Sequence, residues 1–176
     1  MLRKLALIAL LLPLPAVAEV VDAGPSGFKV VHEVEIAAER AVVWQAALDV
    51  GSWWSDDHTI SGDARRMSID PRPQGCFCEM LSPTDGIVHL TVTTVSTNSM
   101  LRLTGGLGPL GVMGASGNLI WEFTEVEGAT RVTFTYAVGG YYEGGIESMA
   151  EPVDFVIGEA LLRLHRHIAS SELGGD

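Results

Sequence analysis

The feature that most constrains this chain is one long amphipathic helical pattern near its C-terminus. Pro152 suits the first turn of such a helix, where its missing N–H costs nothing. Apolar residues then recur at i, i+3, i+4 and i+7 spacing, at Val153, Val156, Ile157, Ala160, Leu161, Leu164 and Ile168. A helix with a single apolar stripe must bury that stripe against another element. The rest of the chain must therefore supply the surface that this helix covers.

Strand patterns fill most of the sequence before that helix. Residues 28–36 alternate apolar and polar side chains, which is typical of a half-buried strand, although His32 interrupts one face. Residues 37–48 carry a short helical stripe instead. Further strand patterns, separated by turns rich in Pro, Gly, Asn and Asp, occupy 65–69, 76–81, 87–95, 100–104, 118–124 and 131–138. This order predicts an α+β fold in which the last helix covers one face of an antiparallel sheet.

The N-terminus predicts export. Arg3 and Lys4 precede an apolar run over 5–12, and Ala16-Val17-Ala18 places small residues before a cleavage point. The run is far shorter than the roughly 20 residues that a spanning helix needs, so we expect no transmembrane anchor. The expected division is a signal peptide at 1–18, an N-terminal extension at 19–27 and one domain at 28–170. The protein is then periplasmic or secreted.

The charge of the chain disfavours some partners. The formal net charge is −11, and it becomes −13 after loss of the signal peptide, which contains Arg3 and Lys4 and no acid. Such an acidic surface repels phosphate backbones and anionic headgroups, so we expect no nucleic-acid partner. The oligomeric state stays open.

Two cysteines, Cys76 and Cys78, lie one residue apart in a strand pattern. Positions i and i+2 of a regular strand are roughly 6.6 Å apart, which is at the far limit of disulfide Cα separations. We therefore expect no disulfide staple and interpret both as small buried hydrophobic side chains. The alternative is a soft-metal site that His58 or His89 would have to complete.

Several motifs together resemble a known superfamily. They are the opening strand followed by Ala-Val-Val-Trp-Gln-Ala-Ala-Leu at 41–48 and Trp53-Trp54, the Arg-Pro-Gln-Gly turn at 72–75 leading to Glu79-Met80, and Gly-Ala-Thr-Arg-Val-Thr-Phe-Thr-Tyr at 128–136. In this order they resemble the START-like, Bet v 1-like (SRPBCC) superfamily, in its polyketide cyclase/dehydrase or Hsp90-ATPase-activator-like branch. The resemblance covers 28–170 and implies a helix-grip fold, in which a curved antiparallel sheet wraps round a long C-terminal helix and encloses a ligand cavity. Members bind lipids, sterols, polyketides or plant hormones, and some are enzymes or co-chaperones.

Aromatic residues are the candidates for the wall of that cavity. We predict ligand contacts from Trp44, Trp53, Trp54, Trp121, Phe123, Phe134, Tyr136, Tyr141 and Phe155. The alternative for each is plain core packing, which aromatic side chains dominate in any fold. The apolar, glycine-rich segment 105–117 is either a flap over the cavity mouth or an ordinary wide hairpin end. It is not a phosphate loop, because no Lys-Ser/Thr follows its glycines.

Catalysis requires an acid or base inside the cavity. His58, His89 and Arg102 are candidate catalytic residues, together with Asp57 and Glu122. Strict alternation in the strand at 87–95 places Val88, Leu90 and Val92 on one face and His89 on the opposite face. No compact metal motif and no nucleophile motif is present, and we expect no cofactor. The sequence thus favours an exported binding protein for a small hydrophobic molecule, with a cyclase- or dehydratase-like enzyme and a protein-interaction module as alternatives.

Overall fold

The computed structural model describes residues 17–173 of the 176-residue chain, with side chains described from 20 to 171. The strands are β1 (Val17–Gly24), β2 (Gly27–Ile36), β3 (Met67–Ile69), β4 (Cys76–Met80), β5 (Gly86–Ser96), β6 (Met100–Gly105), β7 (Ala115–Val126) and β8 (Ala129–Gly140). The helices are α1 (Arg40–Leu48) and α2 (Ala150–Leu173), and short 3-10 turns lie between elements. The predicted signal peptide lies outside the described residues except for Val17 and Ala18, which begin β1.

The strands form one antiparallel sheet in the order β1-β2-β8-β7-β6-β5-β4-β3. Consecutive strands from β3 to β8 are neighbours, and β2 joins the free side of β8. The sheet is curved and unclosed, and α2 covers its inner face. The predicted α+β helix-grip fold is therefore confirmed. Most of the segment predicted as an N-terminal extension forms β1, which pairs with β2 at the edge of the sheet.

The apolar stripe of α2 packs on the sheet as its spacing predicts. Val153, Ile157, Ala160, Leu161, Leu164 and Ile168 are buried. The helix approaches β2 closely at Gly158, where an added Cβ would lie 2.5 Å from the Cε1 atom of His32. His32 is itself buried, and its Nε2 atom is 2.8 Å from Asp154 Oδ1. The polar residue that interrupts β2 is thus a clip between the sheet and α2.

Strand β5 departs from the alternation that its sequence predicts. Phe77 pairs with Leu90 and Cys78 pairs with Val88, so His89 has no partner on β4. This β-bulge turns His89 to the inner face beside Leu90, while Val88 becomes 61% exposed. The expected assignment of Val88 to the buried face, and of His89 to the opposite face, is therefore wrong. One extra residue in the strand reverses both.

The expectation of no disulfide is also wrong. Cys76 and Cys78 are bonded to each other on β4, directly opposite the bulge. Their Cα atoms are 5.4 Å apart, within the usual range for a disulfide, because β4 is not a fully extended strand here. The two cysteines are partly exposed rather than buried.

In the part of the chain that the structure describes, no helix is both long and apolar enough to cross a membrane.

Candidate functional site

A cavity of about 240 Å³ lies between the sheet and the first turns of α2. Its walls come from the 3-10 turn Asp56–His58, from strands β3, β5 and β8, from the loop after β6 and from α2. Most lining side chains are apolar, among them Met67, Leu107, Leu110, Val153, Val156 and Ile157. The polar lining side chains are Asp57, His58, Thr59, His89 and Tyr136. The pocket is thus an apolar volume with a few polar groups, as is usual for small-molecule sites.

His89 is a buried polar residue of the pocket wall, and its ring is hydrogen-bonded to Glu79. The Nε2 atom of His89 lies 2.9 Å from Glu79 Oε2. The Nδ1 atom lies 3.4 Å from the backbone nitrogen of Gly108, on the far side of the ring. The bulge in β5 aims the ring into the interior, and the loop after β6 closes over it. Local strand distortion therefore places a buried imidazole in the pocket wall.

Glu79 is fully buried and is surrounded by hydrogen-bond donors. Besides His89, it accepts hydrogen bonds from the backbone N–H groups of Ile60 and Ser61. Burial alone would raise the pKa of this carboxyl, but the hydrogen bonds from Ser61, Ile60 and His89 together hold the pKa below its usual value. Glu79 is therefore a carboxylate at neutral pH, and it fixes both the turn before β3 and the ring of His89.

Tyr136 anchors the glycine-rich loop, residues 106–114, over the pocket. Its hydroxyl group donates to the carbonyl of Gly105 at 2.9 Å and accepts from the N–H of Leu107 at 3.1 Å. Burial raises the pKa of Tyr136 to about 12, so the phenol stays protonated and keeps both bonds. Leu107 and Leu110 then project into the pocket wall, whereas Val112 at the loop tip is 89% exposed. The loop therefore forms one wall of the pocket.

His58 joins the outer rim of the pocket to α2. Its Nε2 atom is 2.7 Å from Glu159 Oε2, and its ring meets Phe155 edge to face at 5.9 Å. Arg163 extends this contact by donating to the backbone carbonyls of Trp53 and Trp54. These bonds fix the 3-10 turn that carries Asp57 and His58 against the helix.

The predicted ligand-binding residues divide into three groups. Only Trp54 and Tyr136 line the pocket. Trp44, Trp53, Trp121, Phe123 and Phe134 pack against one another in the buried core. We call these five residues the aromatic cluster. Within it, Trp121 stacks on Phe134 with ring centroids 4.6 Å apart, and Trp44 meets Phe123 at 5.3 Å. Phe77 stands between the cluster and the pocket, since its ring contacts both Trp121 and His89.

The third group lies on the surface. Tyr141 is 75% exposed and Phe155 is 65% exposed, and neither lines the pocket. Phe155 lies on the solvent side of α2, off the apolar stripe. Among the catalytic candidates, His58, His89 and Asp57 line the pocket, whereas Arg102 and Glu122 point outward. Arg102 bonds to Thr93 on the outer face of the sheet.

Sequence reasoning missed Glu79 and most of the apolar lining. Glu79 belongs to an alternating strand in which it shares a face with Phe77, and an acid on an apolar face is a signal for a buried partner. Val156 and Ile157 belong to the predicted helix stripe, and the stripe alone does not show that they line a pocket. Their convergence depends on tertiary packing that no local pattern encodes.

No metal site is apparent among residues 17–173, where no three His, Cys, Asp or Glu side chains are grouped to hold an ion. Cys76 and Cys78, the candidate metal ligands, are joined in the disulfide instead.

No known family model matches the chain, and no curated protein is similar to it in sequence. Solved structures share its fold. An uncharacterized protein from Rhizobium leguminosarum aligns with a TM-score of 0.60 and 17% identity over 89% of this chain and 99% of its own. CalU16 from Micromonospora echinospora aligns with a TM-score of 0.56 and 13% identity over 87% of this chain and 75% of its own. DynU16, a protein in the dynemicin biosynthetic locus, aligns with a TM-score of 0.56 and 17% identity over 81% of this chain and 48% of its own. At these identities the likeness is one of fold alone.

Proposed function

We propose that this protein binds a small, largely apolar molecule in the pocket between the sheet and α2. The observation that carries the proposal is the pocket itself: about 240 Å³ of mostly apolar volume beneath an anchored loop, with one buried histidine in its wall. Proteins of this size usually fill such space with side chains. Here hydrogen bonds of Glu79 and Tyr136 to backbone groups hold the surrounding backbone in place, and the pocket volume stays free.

The size of the pocket limits the ligand. A cavity of about 150 Å³ in another protein is large enough to bind benzene. Drug-sized ligands usually occupy about 300–1,000 Å³, so the pocket described here suits a molecule with one ring or a short chain. Burial of such a molecule contributes about 25 cal/mol per Å² of apolar surface removed from water.

Membership of the START-like superfamily, in its polyketide cyclase or Hsp90-activator-like branch, is part of the same proposal. Its support is the order of the sequence motifs and the fold likeness to CalU16 and DynU16. Export to the periplasm or the medium is also part of it. Its support is the charged start, apolar run and small-residue cleavage pattern at 1–18.

Native mass spectrometry of the protein, expressed as the full chain in a bacterial periplasm, tests binding and export together. We expect a chain that begins at Glu19 and carries an additional small-molecule mass that leaves on denaturation. Titration with 4-nitrotoluene, followed by quenching of tryptophan fluorescence, tests the pocket directly, because Trp54 forms part of its wall.

Two variants of α2 make the test specific. Val156→Phe adds volume at a half-buried lining position, and we expect it to weaken 4-nitrotoluene binding at least tenfold. Leu162→Phe adds a similar ring on the same helix at a position outside the pocket, and binding should be unchanged. Equal binding by both variants, or no binding and no co-purified mass in the unaltered protein, would overturn the proposal.

A second candidate function is cyclase- or dehydratase-like catalysis on the bound molecule. One observation favours it: a histidine backed by a buried carboxylate faces the pocket, which is the arrangement of a general base and its orienting group. Turnover that disappears in His89→Gln, while 4-nitrotoluene still binds, would favour this candidate over simple carriage.

A further inference from the structure

The proton on the His89 ring is fixed by its surroundings. Glu79 is a carboxylate and can only accept hydrogen bonds, and it lies 2.9 Å from His89 Nε2. The shared proton therefore belongs to Nε2. In the neutral ring the other nitrogen, Nδ1, then carries a free lone pair and is an acceptor.

The present partner of Nδ1 is a weak one. The N–H of Gly108 points to it at 3.4 Å, which is long for an N–H···N bond. Gly108 has a φ of +58°, so the glycine-rich loop reaches this point through a backbone conformation that other residues rarely adopt. Both His89 and Gly108 line the pocket. Nδ1 is therefore available as a hydrogen-bond acceptor for a ligand group that is a stronger donor than the Gly108 N–H.

The other ionisable groups of the pocket are less suited to this task. The Tyr136 hydroxyl already donates to Gly105 and accepts from Leu107. His58 is tied to Glu159, and Asp57 is exposed at the rim. His89 is therefore the buried acceptor that the lining offers to a ligand.

We infer that His89 Nδ1 selects ligands that combine one apolar ring with an acidic hydroxyl group, of the phenol or enol type. The inference rests on the proposed function and names the ligand class of the same pocket. On binding, the ligand O–H displaces the Gly108 N–H and donates to Nδ1. With a sufficiently acidic hydroxyl, the proton moves to Nδ1 and the electron pair remains on the ligand oxygen. The imidazolium then stands between the ligand anion and Glu79, and the net charge of the site is unchanged.

A pair of probes of the same size tests this selection. 4-Nitrophenol and 4-nitrotoluene differ by a hydroxyl group in place of a methyl group, and both quench tryptophan fluorescence. We expect the protein to bind 4-nitrophenol at least tenfold more tightly, because only the hydroxyl group pairs with the buried acceptor. The absorbance of bound 4-nitrophenol should also shift toward that of the phenolate.

His89→Gln removes the basic nitrogen and keeps an N–H donor for Glu79, so we expect the tenfold preference to fall to about one. The matched control is His32→Gln, which alters an equally buried histidine whose Nε2 atom bonds to Asp154 outside the pocket. This control should keep the preference. Should His89→Gln not fold, the imidazole ¹⁵N signals of the unaltered protein give the same answer, since 4-nitrophenol alone should shift Nδ1 of His89.

The outcomes separate the two proposals. If both probes bind equally well to the unaltered protein, or if His89→Gln keeps the preference, the selection by His89 is wrong while the pocket function stands. If neither probe binds, the selection by His89 is wrong, and if no small molecule co-purifies with the unaltered protein either, the proposed function itself fails.

Discussion

The aromatic cluster and the pocket are neighbouring regions of the interior, yet they are built in opposite ways. The aromatic cluster fills its space with large rings in contact, such as Trp121 stacked on Phe134. The pocket leaves space open, and hydrogen bonds of Glu79, His89 and Tyr136 fix the residues around it. Phe77 contacts both regions, and Trp53 of the aromatic cluster also meets Trp54 of the pocket wall.

This difference explains why most of the aromatic candidates lie outside the pocket. Large rings exclude the volume that a ligand needs, so a cluster of them predicts a solid core. Space remains where glycine and buried polar residues fix the backbone without filling the interior. The free energy of unfolding should therefore depend mainly on the aromatic cluster. The order of the glycine-rich loop and the pH dependence of stability should depend mainly on the residues around the pocket.

The largest expected effect is that of Trp121→Ala. Trp121 is buried among Trp53, Phe77 and Phe134, and truncation of such a ring costs about 3–5 kcal/mol of unfolding free energy. Urea denaturation measures the loss. Trp121→Phe is the control: it keeps a ring and removes an indole N–H that has no hydrogen-bond partner among the described residues, so its cost should be much smaller. Equal losses in both variants would contradict the view that ring packing carries the stability here.

A smaller effect is expected from Glu79→Gln on the pocket side. The variant weakens the acceptor of three hydrogen bonds, and we expect a loss of about 1–3 kcal/mol at pH 7. Because folding lowers the pKa of Glu79 from its usual value, its contribution is fully present above that usual value and is lost as the pH falls through the folded value. Urea denaturation from pH 7 down to pH 3 should therefore show a flatter decline in the variant.

Glu159→Gln is the control for that pH series. Glu159 also bonds to a histidine, but it is partly exposed, so its removal should cost less than about 1 kcal/mol. A pH profile of Glu79→Gln that parallels that of the unaltered protein would show that Glu79 does not carry this dependence.

Apart from the Glu159→Gln control, Tyr136→Phe is the variant with the smallest expected effect on stability, because it removes hydrogen bonds of a neutral hydroxyl group rather than of a carboxylate. It removes the two hydrogen bonds that anchor the glycine-rich loop, at a cost of about 0.5–1.5 kcal/mol for each, and it keeps the buried ring. The local consequence is sharper: the amide of Leu107 should exchange its hydrogen faster, while amides in the β7–β8 pairing keep their rates. Unchanged exchange at Leu107 would mean that the loop is held by packing, as in the aromatic cluster.

The elements that the sequence predicted well are those with local patterns. The apolar stripe of α2 predicts one buried helix face, and the alternation in β2, β7 and β8 predicts one buried face of each strand. The structure confirms these buried faces. Strand β1 was missed because its existence depends on pairing with β2. The disulfide was missed because the estimate of its Cα distance assumed a regular strand.

The site was harder to predict than the fold. His58, His89 and Tyr136 were among the candidates because their residue types carry chemistry, and the structure brings all three to one pocket. Nothing local indicated that Glu79 would bond to His89, since the contact joins β4 to a bulged position of β5. Arg102 was a reasonable candidate by type, but regular alternation on β6 turns it to the outside.

Because of the bulge in β5, the position of the His89 imidazole depends on the number of residues in the strand, and the presence of a histidine in the sequence is not enough. If β5 lacked one residue on the N-terminal side of Leu90, regular pairing with β4 would return the imidazole to solvent, with every lining side chain still present. A single-codon deletion or insertion is therefore enough to lose or gain the site. Among chains of this fold, the number of residues between the turn before β5 and Leu90 should separate those that hold a histidine inside from those that display it outside.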